Sequence, residues 1–429
     1  MLVNPLNRLL PFIKTGGHRV SVPRDLNTIT TINRDRECSP QSLGISPANI
    51  ERIWQSVQSY YKTGLHPAIT LVIRHKGQIV MSRGLGYSHV GAAGESPNDS
   101  SVLATADTPL CLFSGSKAIS AMLVHKLAEE GKLNINDRVS KYIPEYASHG
   151  KHLTTIHDLL THKAGIRIMP LSDPSPELMF DFDTVVKILA ESPPVGTPKQ
   201  QQAYHAVTAG YILGEICRRV SGETLPQLLD RILAKPLDCE HFTFGVAAER
   251  RHQVAISHAT GLDKVPVISK MLHHMLGVSD RDITATINSP EAHDAVIPAA
   301  NIYCSAEEIC RFYQMLLDKG QWQGQSVFTP ATVANATRRG QLLFDHSAKA
   351  PMRYSAGFMT GEKLWSIFGA NTAQAFGHLG FINILCWADP ARDISVAFLN
   401  TGKSLAPEGF VGFANVTTTI SAAFPVINK

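Results

Sequence analysis

The sequence predicts an α+β fold, in which one antiparallel sheet is assembled from both ends of the chain around a mostly helical insertion. Three observations carry that expectation. Ala68–His75 (A-I-T-L-V-I-R-H) is dense in β-branched residues and runs through Lys76-Gly77 into Gln78-Ile79-Val80-Met81, the pattern of a hairpin. Asn383–Trp387 and Ile394–Leu399 flank Asp389-Pro390-Ala391-Arg392-Asp393, a second hairpin near the other terminus. Between the two, most periodic segments have helical spacing.

The elements follow in order. With 429 residues the chain exceeds the roughly 250–300 at which one hydrophobic core stops growing, so two lobes are expected. Residues 1–45 read as an N-terminal extension. Pro5 and Pro11 break the amphipathic helix that a basic presequence would need. Ser46-Pro47 opens a helix to about Lys62, with proline in the first turn. Ile119, Met122, Leu123 and Leu127 form a helical stripe closed by Gly131. Tyr211–Val220 and Ala306–Leu317 read the same way. The expected division is a discontinuous sheet domain, 46–113 with 300–429, and a helical domain, 114–299.

Composition narrows the function classes. The chain is 44% hydrophobic and 18% charged, which excludes general disorder. Forty basic and 36 acidic residues give a net charge of +4, too small and too dispersed for a nucleic-acid surface. No apolar run approaches the roughly 18 residues of a membrane span, and Leu9–Ile13 is too short for a secretory h-region. Seven cysteines, odd in number and without a C-x-x-C pair, fit a reducing compartment, so a cytoplasmic location is expected. No H-E-x-x-H occurs, and His149, His152, His157 and His162 lack the spacing of a ligand set, so neither metal nor other cofactor is expected. G-x-S-x-G is absent. Asn400-Thr401-Gly402-Lys403-Ser404 ends like a P-loop, but Ala397 stands where its first glycine is needed.

The chemistry-bearing motif is Ser114-Gly115-Ser116-Lys117, between the strand-like run Pro109–Phe113 and the helical stripe. Serine and lysine three apart share a helix face. A serine hydroxyl is a weak nucleophile until a base takes its proton, and a lysine in a partly dry site can become that base. At a helix N-terminus the backbone N–H of Ser114 would also face a developing oxyanion. By spacing alone the motif reads equally as a capping serine and a surface lysine. Ser148-His149-Gly150-Lys151 matches it too.

The surrounding residues decide between these. Phe113–Lys117, then Leu127-Ala128-Glu129-Glu130-Gly131-Lys132-Leu133, Tyr142-Ile143-Pro144-Glu145-Tyr146 and Leu159-Leu160-Thr161-His162-Lys163-Ala164-Gly165, resemble the active-site region of the serine β-lactamase-like proteins. That family includes penicillin-binding proteins, class C β-lactamases and family VIII carboxylesterases. The resemblance runs on in order through Pro236-Leu237, Ser305-Ala306-Glu307-Glu308 and Ala388-Asp389-Pro390, covering roughly residues 46–425. It implies the β-lactamase/D,D-transpeptidase fold, an α/β/α sandwich with a helical lobe. It also implies Ser114 as nucleophile and Lys117 as its partner.

Tyr204-His205-Ala206 matches the family's Tyr-Ser-Asn element in its esterase form, implying Tyr204 as proton shuttle. His205, the usual base near neutral pH, is the chemical rival. Lys-Thr-Gly, the family's third element, occurs at 14–16 and 62–64, in the wrong order. The positional match is His378-Leu379-Gly380-Phe381. The resemblance places Phe381 N–H beside Ser114 N–H as an oxyanion hole. His205, His378 and Gly380 are expected to bind substrate, Gly380 by letting it approach the strand closely. Two departures stand out, Ala206 in place of asparagine and Asn383 where relatives often have glycine. The apolar stripe at 268, 271, 272, 275 and 276 reads as a docked amphipathic helix or as a wall over an acyl pocket.

The sequence therefore points to a serine esterase acting on a small-molecule ester. A β-lactamase or D,D-peptidase, an acyltransferase to a small acceptor, and an inactive scaffold are the rivals. Acyl chain length and oligomeric state are left open.

Overall fold

The computed structural model describes residues 15–90, 98, 100–171, 175–262 and 280–427. The apolar stripe at 268–276 lies outside them. The main sheet has eight strands: β1 (Thr30–Ile32), β2 (Ala68–His75), β3 (Gln78–His89), β4 (Val102–Leu103), β5 (Met359–Thr360), β6 (Phe376–Gly380), β7 (Ile384–Asp389) and β8 (Ile394–Asn400). Their order is β1-β3-β2-β8-β7-β6-β5, with β4 paired to β3. All of these pairings are antiparallel. Strands from the two ends of the chain meet where β2 pairs with β8, so the α+β fold expected from the sequence is the one found.

Strand alternation distributes the core. Val72, Ala397 and Cys386 lie opposite one another and face one apolar cluster. Leu71, Phe398 and Leu385, with Ile73, Val396 and Trp387, face the other. Both faces are thus covered, which is why the inner strands read as unbroken apolar runs instead of alternating with polar residues. Helices α1 (Pro47–Tyr61), α2 (Ser116–Glu129), α3 (Phe182–Glu191), α4 (Thr208–Ser221), α5 (Ala306–Leu317) and α6 (Pro407–Ala423) supply the layers. α1 and α6 pack together, and their Trp54, Val57, Val416 and Ile420 belong to the second cluster. α5 covers the opposite face, against β2, β7 and β8.

Two boundaries differ from expectation. Thr30–Ile32, inside the stretch read as an extension, pairs with Arg83–Leu85 as an edge strand. β3 runs on to His89, well past Met81, because Gly84 and Gly86 act inside the strand and do not end it. A Cβ on Gly84 would lie 2.2 Å from the Ala104 carbonyl oxygen, and one on Gly86 (φ +92°) 2.1 Å from that of Pro67. These glycines are close-approach positions. Among the described residues no helix is long and apolar enough to cross a membrane. All seven cysteines are unpaired.

Candidate active site

Ser114 lies in a tight turn, Phe113–Gly115, that feeds directly into α2. Leu112 N–H donates to the Ile302 carbonyl (2.9 Å), and Ser116 Oγ accepts from Ile302 N–H (3.0 Å). The turn is thereby tied to the strand Ile302–Cys304. Phe113 has φ +48°, which for a bulky residue is strained backbone, of order 1–3 kcal/mol. The strain sits one residue before the partly exposed Ser114. α2 continues as a buried helix in the first core cluster and stops where Gly131 turns left-handed at φ +71°.

Lys117, one helical turn on, donates to Ser114 Oγ at 3.0 Å, to the Ala299 carbonyl at 3.1 Å and to the Ala206 carbonyl. Its ammonium lies 4.9 Å from the centre of the Tyr204 ring. No carboxylate pairs with it among the described residues, and burial brings its pKa down to about 7. Burial raises the Tyr204 phenol above its ordinary value, opposed in part by a hydrogen bond with the Ser114 side chain and reinforced by the charge of Asp345. The structure thus brings Tyr204 to Ser114 and Lys117 from a distant stretch of sequence. An amine near neutrality can take the serine proton, and a phenol that stays protonated can give one away.

The β6 residues close the other side. Phe381, the first residue past β6, is partly exposed, and its ring lies 5.6 Å from that of Phe113. A Cβ on Gly380 would lie 2.4 Å from the Leu112 carbonyl oxygen. The close approach at Gly380 is therefore made by the chain's own segment leading to Ser114, where substrate had been expected. Glycine there sets the distance between the serine turn and β6. Asn383 sits at φ +71° in the β6–β7 connection, a left-handed conformation that asparagine tolerates better than most residues other than glycine.

The histidines are neutral and buried. His205 Nδ1 pairs with the Ala203 carbonyl (2.6 Å), and Nε2 accepts from Ile166 N–H (3.3 Å), so both ring nitrogens are occupied by backbone. Burial and then the Lys117 charge, partly offset by the Ala203 bond, bring His205 to about 4. His378, 6.2 Å from Tyr204 between ring centres, pairs through Nδ1 with the Leu379 carbonyl (2.8 Å) and is brought to about 3 by burial and Lys117. His162, at φ +59°, packs on Tyr204 (4.8 Å) and accepts the His205 N–H through Nδ1 (3.2 Å). Sequence reading missed Tyr354, whose ring stacks on Tyr204 at 6.3 Å, and Asp345, whose Oδ1 accepts the Tyr204 N–H at 3.1 Å. No spacing links either to Tyr204. Among the described residues no cluster of three or more His, Cys, Asp or Glu side chains could hold a metal.

A serine in the turn that leads into a helix, a lysine one helical turn on and a tyrosine thus meet beside an antiparallel sheet, the arrangement of a serine hydrolase of the β-lactamase class. The chain belongs to the Beta-lactamase family, whose sequence model matches residues 55–417. It is 26% identical over 336 residues to the esterase/beta-lactamase LipL of Mycobacterium tuberculosis, covering 74% of this chain and 76% of that protein. A family VIII carboxylesterase structure superposes with a TM-score of 0.73 at 25% identity, over 87% of this chain and 98% of the other. A penicillin-binding protein homolog from Caulobacter crescentus gives 0.72 at 25%, over 88% and 98%.

Proposed function

We propose that the protein hydrolyses carboxylic esters through an acyl-enzyme on Ser114. Neutral Lys117 accepts the Ser114 proton as the hydroxyl attacks the ester carbonyl. The developing oxyanion is received by the N–H groups of Ser114 and Phe381, each such donor typically being worth about 2.7–4 kcal/mol. Tyr204 gives its proton to the departing alkoxide and regains one from the Lys117 ammonium. Water then attacks the acyl-enzyme, with the proton transfers reversed. His205, with both nitrogens bound to backbone, supports the Tyr204 segment and makes no substrate contact. His378 packs beside the Tyr204 ring as a neutral group.

The observation that carries the ester reading is Ala206. Its carbonyl receives Lys117, and its side chain is a buried methyl. A β-lactam's acylamide needs a side-chain amide to pair with, and an unpaired group costs about 1–3 kcal/mol. A simple ester has no such group. Neutral His378 likewise supplies no cation for a substrate carboxylate where the family's third motif carries lysine. The names of the similar esterases agree with this reading. On one preparation, kcat/KM for p-nitrophenyl butyrate is expected to exceed that for nitrocefin at least about a hundredfold, roughly 2.7 kcal/mol in transition-state stabilisation. Comparable values would place the protein with the penicillin-directed enzymes instead.

A further inference from the structure

Tyr204 stands on an irregular stretch, outside any helix or strand, yet its N–H and those of both neighbours are tied. Ala203 N–H donates to the His162 carbonyl (2.9 Å), Tyr204 N–H to Asp345 Oδ1 (3.1 Å) and His205 N–H to His162 Nδ1 (3.2 Å). Two of the three acceptors belong to one residue nearby in the fold. The third is a carboxylate 141 positions away in sequence.

That carboxylate is unusual. Asp345 ends the strand Leu342–Asp345, paired with Ala350–Arg353, and is fully buried. No cationic side chain pairs with it among the described residues. It is satisfied instead by hydrogen bonds. Oδ1 accepts from the N–H groups of Tyr204, Ser347 (2.9 Å) and Ala348 (2.8 Å), and Oδ2 accepts from the Tyr354 hydroxyl (3.2 Å). Burying a charge without a counter-ion is costly unless its lone pairs are all engaged, so the group is held in one orientation. Both of its oxygens reach Tyr204, one through the backbone and the other through the Tyr354 ring, which lies at 20° to the Tyr204 ring. His346 N–H to the Gln202 carbonyl (2.9 Å) and Gln202 Nε2 to the Met352 carbonyl (3.1 Å) dock the same hairpin onto the same segment.

We propose that Asp345 is a positioning residue for ester hydrolysis, its carboxylate fixing the Tyr204 phenol beside Ser114 and Lys117. The inference rests on Tyr204 as the proton donor. Its negative charge works in the same direction, since it disfavours the phenolate and keeps the phenol able to donate.

A double-mutant cycle tests this with p-nitrophenyl butyrate, measuring kcat and KM for wild type, Asp345→Ala, Tyr204→Phe and the double variant. Asp345→Ala is expected to lower kcat about 10–100-fold, with KM within about threefold. In the Tyr204→Phe background the same change is expected to cost less than about threefold, because the phenol it positions is gone. Equal losses in both backgrounds, or no loss in either, would overturn the role of Asp345. A Tyr204→Phe variant as active as wild type would instead overturn the assignment of Tyr204. Should Asp345→Ala fail to fold, Asp345→Asn retains an acceptor for the three N–H groups, and the cycle is run with it. A smaller loss that vanishes in the Tyr204→Phe background supports the proposal, and an additive or absent loss overturns it.

Discussion

Ser114–Lys117 and Ser148–Lys151 are both Ser-x-x-Lys pairs with a tyrosine close by, and the structure gives them opposite settings. Ser114 and Lys117 are 3.0 Å apart, the serine partly exposed, with Tyr204 beside both and the end of β6 opposite. Ser148 and Lys151 are 3.5 Å apart, with Lys151 lying 5.1 Å from the centre of the Tyr146 ring. There Ser148 Oγ donates to the Ala190 carbonyl (2.8 Å) and Lys151 donates to that of Ser192. Both carbonyls belong to the C-terminal end of α3, so this pair caps a helix, where a cation complements the dipole. Ser148 and the left-handed His149 (φ +52°) have non-helical backbone, and no helix N-terminus stands behind that serine. Burial lowers both lysines, Lys117 to about 7 and Lys151 to about 8. A depressed lysine beside a serine is common to both pairs; what sets apart the pair proposed as catalytic is its place at a helix N-terminus and the strand end opposite.

The contrast can be broken by substitution. Ser114→Ala is expected to lower kcat for p-nitrophenyl butyrate by about 10⁴-fold or more without changing Tm appreciably. Ser148→Ala is expected to leave kcat within about twofold, and a large loss there would erase the distinction. Next in size, Tyr204→Phe is expected to cost about 10²–10⁴-fold in kcat. His205→Ala should cost far less in kcat but lower Tm, since it strips an acceptor from Ile166 N–H. The reverse ranking would move the proton transfer to His205. Because Lys117 must be deprotonated to act, kcat/KM is expected to rise about tenfold per pH unit up to about 7 and then level off. A profile flat from pH 5 to 8 would remove Lys117 as the base. The smallest effect is at the capping pair, where Lys151→Met is expected to destabilise the fold by about 1 kcal/mol by denaturant titration and leave the pH profile unmoved.

The sequence carried much of this, and the reasons for the gaps are physical. β2 and α5 were legible to the residue, because a dense β-branched run and an apolar helical stripe are local signals. α6 was not, since Gly409, Gly412 and Thr417 to Thr419 are poor helix formers. Gly412 is needed there because a Cβ would meet the Tyr60 ring at 2.2 Å. β1 is too short, at three residues, to show a period. That Ser114, Lys117 and Tyr204 would lie together was legible through motif order. Gly380 was singled out for substrate approach, while the carbonyl it accommodates is that of Leu112. Asp345 carried no signal at all, because its part depends on a hairpin folding back across the Tyr204 segment.

The central claim, that Ser114 of the Ser114–Lys117 pair is the nucleophile, is tested most directly by chemical labelling of the native protein. A fluorophosphonate probe is incubated at neutral pH and the modified peptide is located by mass spectrometry. The account predicts a single stoichiometric adduct on Ser114, with ester hydrolysis lost in proportion to labelling. An adduct on Ser148, or full inactivation with Ser114 unmodified, would contradict it.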